Sequence, residues 1–373
     1  MPVTGSKSVT VLIVGGCGFF GSRVASTLAA DHAINVLIGS RDSGSARSLA
    51  ASLGLPETNG VNVDPFDDTL AQRLRDLRVG LVIHAAGPFQ GQDYRVARAA
   101  IDAGAHYADL ADGRAFVNGI AVLDSFARER GVLATSGASS VPALSAAVVD
   151  RHCARFGRLD RVRSGITSSG RTPGLATMRS VFGYCGKTFT RFEDGHWRDV
   201  HGWMNVRSHV FPAPVGRRWL ADCDVPDLDL FPRRYPTVST VTFQAGLAST
   251  FAHWAVWAGA AAVRAGLARS LMPAAPLLRT ASRALEPWAS PDSAMFVEMA
   301  GVDGDEAPLT LTWHLVAERG EGPFIPCGAT IALARKIARG DPLPIGAMPC
   351  AGIIDVDEYL DALSGRAVRE ICP

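Results

Sequence analysis

The chain lacks several features that would have narrowed its chemistry. Its seven cysteines (Cys17, Cys153, Cys185, Cys223, Cys327, Cys350 and Cys372) include no CxxC pair and are odd in number. That excludes a zinc ribbon or a disulfide framework and fits reduced thiols in the cytoplasm. The formal net charge is +1 over 373 residues, so no basic field points to nucleic acid. The polar start MPVTGSKS contains no apolar signal-peptide core. No tryptophan occurs in the first 196 residues, and all seven lie between Trp197 and Trp313. Residues 246–263, GLASTFAHWAVWAGAAAV, contain no Asp, Glu, Lys or Arg. A spanning helix needs about 20 predominantly apolar residues. This run is Ala- and Gly-rich, carries His253 and stops at Arg264, which reads as a buried or interfacial helix and not a membrane span.

What is present is an ordinary globular composition, 47% hydrophobic and 20% charged, on a chain long enough for two domains. Apolar runs at 9–14, 34–39, 81–87, 107–110 and 132–137 read as strands. Helical patterns fall between them at 21–30, 43–54, 93–105 and 121–131, the second opened by a serine cap and closed by Gly54. This alternation predicts an α/β fold, a doubly wound parallel sheet over residues 1–140. The texture then changes. Residues 151–218 hold 13 Arg or Lys against four acids, and four aspartates follow in DCDVPDLD at 222–229. The alternating segments TVSTVTF (237–243) and LTLTWHLVAE (309–318) suggest an antiparallel sheet with helices on one side. Residues 325–340 read as a helix ending at Gly340.

The densest motif is GGCGFFGS at 15–22, directly after the first apolar strand. Gly15 and Gly16 permit a tight turn, Gly18 lets a diphosphate approach the backbone, and Gly21 allows close helix packing. Phe19 and Phe20 lead into a helix whose free amides and positive dipole end suit phosphates. The strand–turn–helix context makes this a dinucleotide site. An NAD site expects an acid at the end of the second strand. Ser40 and Arg41 stand there, and a guanidinium suits a 2′-phosphate, so the expected cofactor is NADP. Asp42, one position later, is the residue that could serve a ribose instead. At the end of the third strand, Ala86, Gly87 and Pro88 form a second turn that a cofactor could approach closely. His84 before it reads as a core histidine.

VGGCGFFG, AAGPF (85–89), AIDAGAHYADLADG (100–113), GPFIPCGATIALARKIARG (322–340) and GAMPCAGIID (346–355) together resemble the saccharopine dehydrogenase-like oxidoreductases. The resemblance covers the first 145 residues well, the last 50 fairly well and the middle loosely. It implies a Rossmann domain (1–145), an inserted α+β substrate and dimerisation domain (146–324), and a carboxy-terminal return (325–373) packing on the first domain. It also implies NAD(P)-dependent hydride transfer on C–N bonds of a small-molecule substrate, in a homodimer. Relatives of the trans-acting enoyl reductase type act on lipid chains, and a non-catalytic NADP-binding scaffold is a third reading.

Hydride chemistry needs a proton donor and a clamp for the substrate. Asp109 and Asp112, three apart after a strand, could face one crevice, and Tyr107 could donate a proton. Helix capping is the alternative for Asp109. Ser139 and Ser140 precede a helix whose first turn could take an anion, or they act as caps. Gly170, Arg171 and Thr172 precede Pro173 at a helix start, where Arg171 could hold a carboxylate; Arg171 and Pro173 depart from the family's Gly-Thr loop. His196, His201 and His209 match no metal spacing and read as loop or core residues.

Overall fold

The structure, a computed structural model, describes residues 8–172, 174–286 and 289–372. Its strands are β1 (Val9–Val14), β2 (Ile34–Ser40), β3 (Gly60–Asn62), β4 (Leu81–His84), β5 (His106–Asp109), β6 (Leu133–Ser136), β7 (Arg158–Thr167) and β8 (Thr188–Glu193). They continue as β9 (His196–His201), β10 (Arg207–Phe211), β11 (Gly216–Asp222), β12 (Thr240–Gly246), β13 (Ser293–Val302), β14 (Pro308–Ala317), β15 (Gly346–Pro349) and β16 (Val368–Ile371). The helices are α1 (Gly21–Leu28), α2 (Ser43–Ser52), α3 (Leu70–Asp76), α4 (Arg95–Asp102), α5 (Arg114–Gly119), α6 (Asp124–Glu129) and α7 (Ser145–His152). They continue as α8 (Leu175–Tyr184), α9 (Asp227–Arg234), α10 (Thr250–Arg264), α11 (Ala275–Leu285), α12 (Gly328–Arg339) and α13 (Val356–Asp361).

Two compact units divide the chain. The first holds the residues up to Leu144 and Pro326–Ala362; the second holds Ser145–Ile325 and the residues from Leu363. The first unit is built on a seven-stranded sheet ordered β15-β6-β5-β4-β1-β2-β3. Its neighbouring strands all run parallel. The order reverses at β1, so the carboxyl ends of β1, β2 and β4 open onto a switch-point crevice. Leu12, Val14, Val82, Tyr107 and Ala134 lie in one apolar core with Val96, Ala100 and Ile101 of α4. Burial on both faces explains why these strands carry unbroken apolar runs. α12 ends at Gly340 in the left-handed conformation, as its sequence position predicts.

The second unit is built on another seven-stranded sheet, ordered β10-β11-β12-β7-β13-β14-β16, with a separate β8-β9 hairpin. β12 pairs with β7 in parallel, so this sheet is mixed and not purely antiparallel as expected. The carboxy-terminal return also needs correction. Only Pro326–Ala362 belongs to the first unit, where it adds a strand as well as helices. From Leu363 the chain rejoins the second unit, because residues 368–371 pair with the edge of β14. No disulfide links the cysteines. Among the described residues no helix is long and apolar enough to cross a membrane.

Candidate functional site: the crevice at the ends of β1, β2 and β4

The glycine turn is held by main-chain hydrogen bonds. The amides of Gly15 and Gly16 both donate to the Gly39 carbonyl at 3.0 Å, and Gly18 N donates to Gly15 O at 2.8 Å. Gly15 sits at φ 78°, and a Cβ there would meet Ala86 at 2.9 Å. The turn and the AAGPF loop are therefore in direct contact. A Cβ on Gly21 would lie 2.2 Å from the Gly15 carbonyl, so this glycine seats α1 on the turn itself. At Gly18 the nearest atom to a Cβ would be Gly15 O at 3.0 Å and nothing else within 4 Å, which leaves its other side open.

That open side faces donors. Phe20 caps α1 without a side-chain hydrogen bond. Among the described residues the amides of Phe19, Phe20 and Gly21 donate to no backbone carbonyl. Unpaired amides at a helix start, with a bare Cα beside them, fit a diphosphate. Arg23 stiffens the same turn: its guanidinium lies 4.1 Å over the Phe19 ring and donates to the Phe19 carbonyl.

β2 brings Ser40 and Arg41 to the same edge. Ser40 Oγ accepts from Asp42 N at 3.2 Å, and Ser40 also hydrogen-bonds the thiol of Cys17 at the turn's tip. Asn62 donates to the Arg41 carbonyl at 2.9 Å and fixes its backbone. The Arg41 side chain is exposed, with no salt bridge among the described residues. Asp42 caps α2 in place of the expected serine. Its carboxylate accepts from Gly44 N at 2.9 Å and Ser45 Oγ at 2.5 Å, and these bonds lower its pKa. The one acid near this edge is thus engaged in its own helix, and the guanidinium is left for a phosphate.

On the other flank, Ala86, Gly87 and Pro88 are half-buried. Gln92 Nε2 donates to Ala86 O at 2.9 Å and Pro88 O at 2.7 Å, which staples the loop. Sequence reasoning missed Gln92; its only signal is the amide pair in GPFQGQ.

Tyr107 and Asp109 do not face the crevice. Both are fully buried. Tyr107 shares a hydrogen bond with His84 Nδ1 at 3.1 Å, so His84 is the expected core histidine, with burial lowering its pKa to about 4. Asp109 Oδ1 accepts from Gly137 N (2.8 Å), Ser136 Oγ (2.9 Å) and Ala111 N (3.0 Å). It ties the end of β5 to the end of β6. Burial nonetheless pushes its pKa up to about 6 against these donors. Asp112 is partly exposed and accepts from Gln90 Nε2 at 3.2 Å. The two aspartates therefore do not share one crevice: the strand's end turns the first inward and the loop turns the second out.

Ser139 is buried, and Ser140 hydrogen-bonds Tyr359. The expected helix start beside them is displaced, because Val141 is extended (φ −130°, ψ 129°) and α7 begins only at Ser145. Arg171, in the second unit, is exposed and lies against Gly320. Glu286, from the chain itself, comes to this loop: its carboxylate accepts from Thr172 N at 2.5 Å, and the Thr172 bonds, then Arg283 and Arg171, lower its pKa. Pro173 lies outside the described residues. His196 and His201 are on β9 and His209 is on β10. Among the described residues no group of three His, Cys, Asp or Glu could hold a metal.

Residues 11–151 match the family model for the saccharopine dehydrogenase NADP binding domain. No curated protein matches the chain. Among solved structures, apo saccharopine dehydrogenase (L-Glu forming) from Saccharomyces cerevisiae superposes with a TM-score of 0.68 at 15% identity, over 98% of this chain and 100% of that one. Amine dehydrogenase from Mycobacterium smegmatis superposes with a TM-score of 0.52 at 13% identity, over 92% and 95%. At such identities the likeness is one of fold. The glycine cradle, the parallel sheet order and the family match agree that residues 11–151 form an NADP-binding domain of the kind described for saccharopine dehydrogenase.

Proposed function

We propose that the protein transfers a hydride between NADP(H) and the carbon of a C=N bond in a small amino-acid-like substrate. The observation that carries the cofactor half is Arg41: a guanidinium without a salt bridge at the end of β2, beside a turn of unpaired amides, with Asp42 occupied as a cap. The C=N half rests on fold-level analogy, since one structural neighbour is named a saccharopine dehydrogenase and the other an amine dehydrogenase.

When bound, the nicotinamide supplies or accepts the hydride. Gly15, Gly16 and Gly18 would shape the turn and let the diphosphate approach, the amides of Phe19, Phe20 and Gly21 would donate to it, and Ser40 and Arg41 would hold the 2′-phosphate. Ala86, Gly87 and Pro88 give close approach, kept in place by Gln92. Asp112, partly exposed and accepting from Gln90, would serve as substrate contact or proton carrier. Tyr107 and Asp109 are positioning residues that hold the loops after β5 and β6. Arg171 is the second unit's candidate for a substrate carboxylate, in competition with Glu286. The reading includes a cytoplasmic homodimer, with the second unit serving substrate and dimer contacts.

The alternative is reduction of a lipid C=C, which the exposed aromatic residues of α10 favour. The purified protein is mixed with NADPH and screened against amine-plus-ketoacid pairs and enoyl lipids for loss of NADPH absorbance. Turnover with the first set is expected. Turnover with lipids alone replaces the reading, and binding without turnover in either set leaves a cofactor-holding scaffold.

A further inference from the structure

The acid-free segment singled out in the sequence forms a surface that the crevice chemistry does not use. α10 has 15 residues, of which only His253 and Ala260 are buried. Phe251 is 77% exposed and Trp254, on the same helix face, 38%. Trp254 meets Trp219 and Trp257 edge-on, with ring centroids 5.7 and 5.4 Å away. Leu271 packs at Gly259 and joins α10 to the turn before α11. Beyond it the exposed apolar residues continue through Leu267 (83%), Met272 (43%), Leu277 (74%) and Leu278 (37%). Soluble surfaces carry scattered apolar side chains, but a run of this size on neighbouring elements marks an interaction site.

The charges say what it meets. No Asp or Glu occurs between Asp229 and Glu286, whereas Arg264, Arg269, Arg279 and Arg283 all lie on or beside the two helices. Among the described residues none of these four arginines forms a salt bridge, and Arg283 acts on the carboxylate of Glu286. A second copy of the chain is a poor occupant, because a two-fold contact would set arginines against arginines with no acids to answer them. An anionic lipid surface answers both features. Tryptophan settles at the headgroup level, Phe and Leu enter the acyl boundary, and arginines meet phosphates. No described helix is long enough to cross, so these helices would lie in the interface.

We propose that α10 and α11, with the turn between them, dock the protein on an anionic membrane surface. This stands apart from the hydride chemistry, and its test needs no substrate. The full chain is sedimented with vesicles of phosphatidylcholine alone and of phosphatidylcholine with phosphatidylglycerol. Binding to the anionic vesicles, reduced at high salt, is expected. Phe251→Ser with Trp254→Ser should weaken it about tenfold. Arg264→Glu with Arg269→Glu should do the same while NADPH binding persists as the check on folding. Equal binding to both vesicle types, no binding to either, or binding that both variants leave intact overturns the proposal. So does self-association of the wild type that the first variant abolishes without any vesicle binding.

Discussion

In the first unit the ends of β1, β2 and β4 meet as nearly bare main chain, whereas one face of the second unit's sheet carries long charged side chains. The crevice relies on Gly15, Gly18, Gly21 and Gly87 and on amides that point at nothing else. The second unit instead buries Arg191 against Asp222 at 2.7 Å, with Glu193 on the other arm of the guanidinium at 2.8 Å. Asn205 Nδ2 and Gln244 Nε2 also donate to the Asp222 carboxylate. Arg163 faces Glu298 across the β7–β13 register and lies over the Phe296 ring. One unit recognises by shape and fixed dipoles; the other stabilises itself by matched charge. The contrast implies that damage to the two should separate, with affinity lost in the first and folding lost in the second.

The largest effect expected is in the second unit. Arg191→Met leaves Asp222 buried without its counter-charge, which should cost about 3–5 kcal/mol in urea unfolding of that unit. NADPH affinity measured by fluorescence should stay unchanged, and a parallel fall in affinity would erase the contrast. Next is Gly21→Val. Its Cβ would collide with the Gly15 carbonyl, so NADPH affinity should fall by about 100-fold or more. Retained affinity would mean that the turn is not the phosphate cradle. Third, Arg41→Asp should cut the preference for NADPH over NADH by about 30-fold, the worth of a hydrogen bond to a charged group. An unchanged ratio removes the 2′-phosphate assignment.

The smallest effect concerns Asp109, buried where the ends of β5 and β6 meet in the first unit. Its carboxyl titrates near 6 in the folded chain, above its ordinary value, so the folded state holds a proton there that the unfolded chain has released. That contribution is full below the ordinary carboxylate range and is lost as pH rises through 6. Asp109→Asn keeps an acceptor for the three donors and cannot ionise. It should be more stable than wild type by about 1–2 kcal/mol at pH 7.5, with the gap closing toward pH 4. Thermal melts across that range decide it, and a gap that ignores pH rejects the buried-acid reading.

The same contrast explains what could be read from the chain. The glycine turn was legible because main-chain geometry leaves its mark in glycine spacing within one strand–turn–helix. Five strands of the first sheet were legible because burial on both faces makes continuous apolar runs; β3, three residues long, and β15, the four-residue strand Gly346–Pro349, escaped. Tyr107 and Asp109 were misplaced because a strand end does not reveal which side chain turns inward until its neighbour is known. Here that neighbour is the Ser136–Gly137 turn, 27 and 28 residues away. Arg171 was read without Glu286, whose carboxylate reaches the next residue's amide across 114 positions. Such pairings are written in tertiary register, which no local pattern encodes.

The path of the chain has a consequence for how the protein is made. Thr135 on β6 donates to Met348 on β15, 213 residues later. The edge of the cofactor sheet therefore stays uncovered on the ribosome until nearly the whole polypeptide has emerged. No single cut releases either unit intact, since the chain passes between them after Leu144, after Ile325 and after Ala362. A minimal nucleotide-binding fragment would have to be spliced, joining the segment that ends at Leu144 to the one that begins at Pro326. Truncation before β15 would instead free a strand edge for aggregation.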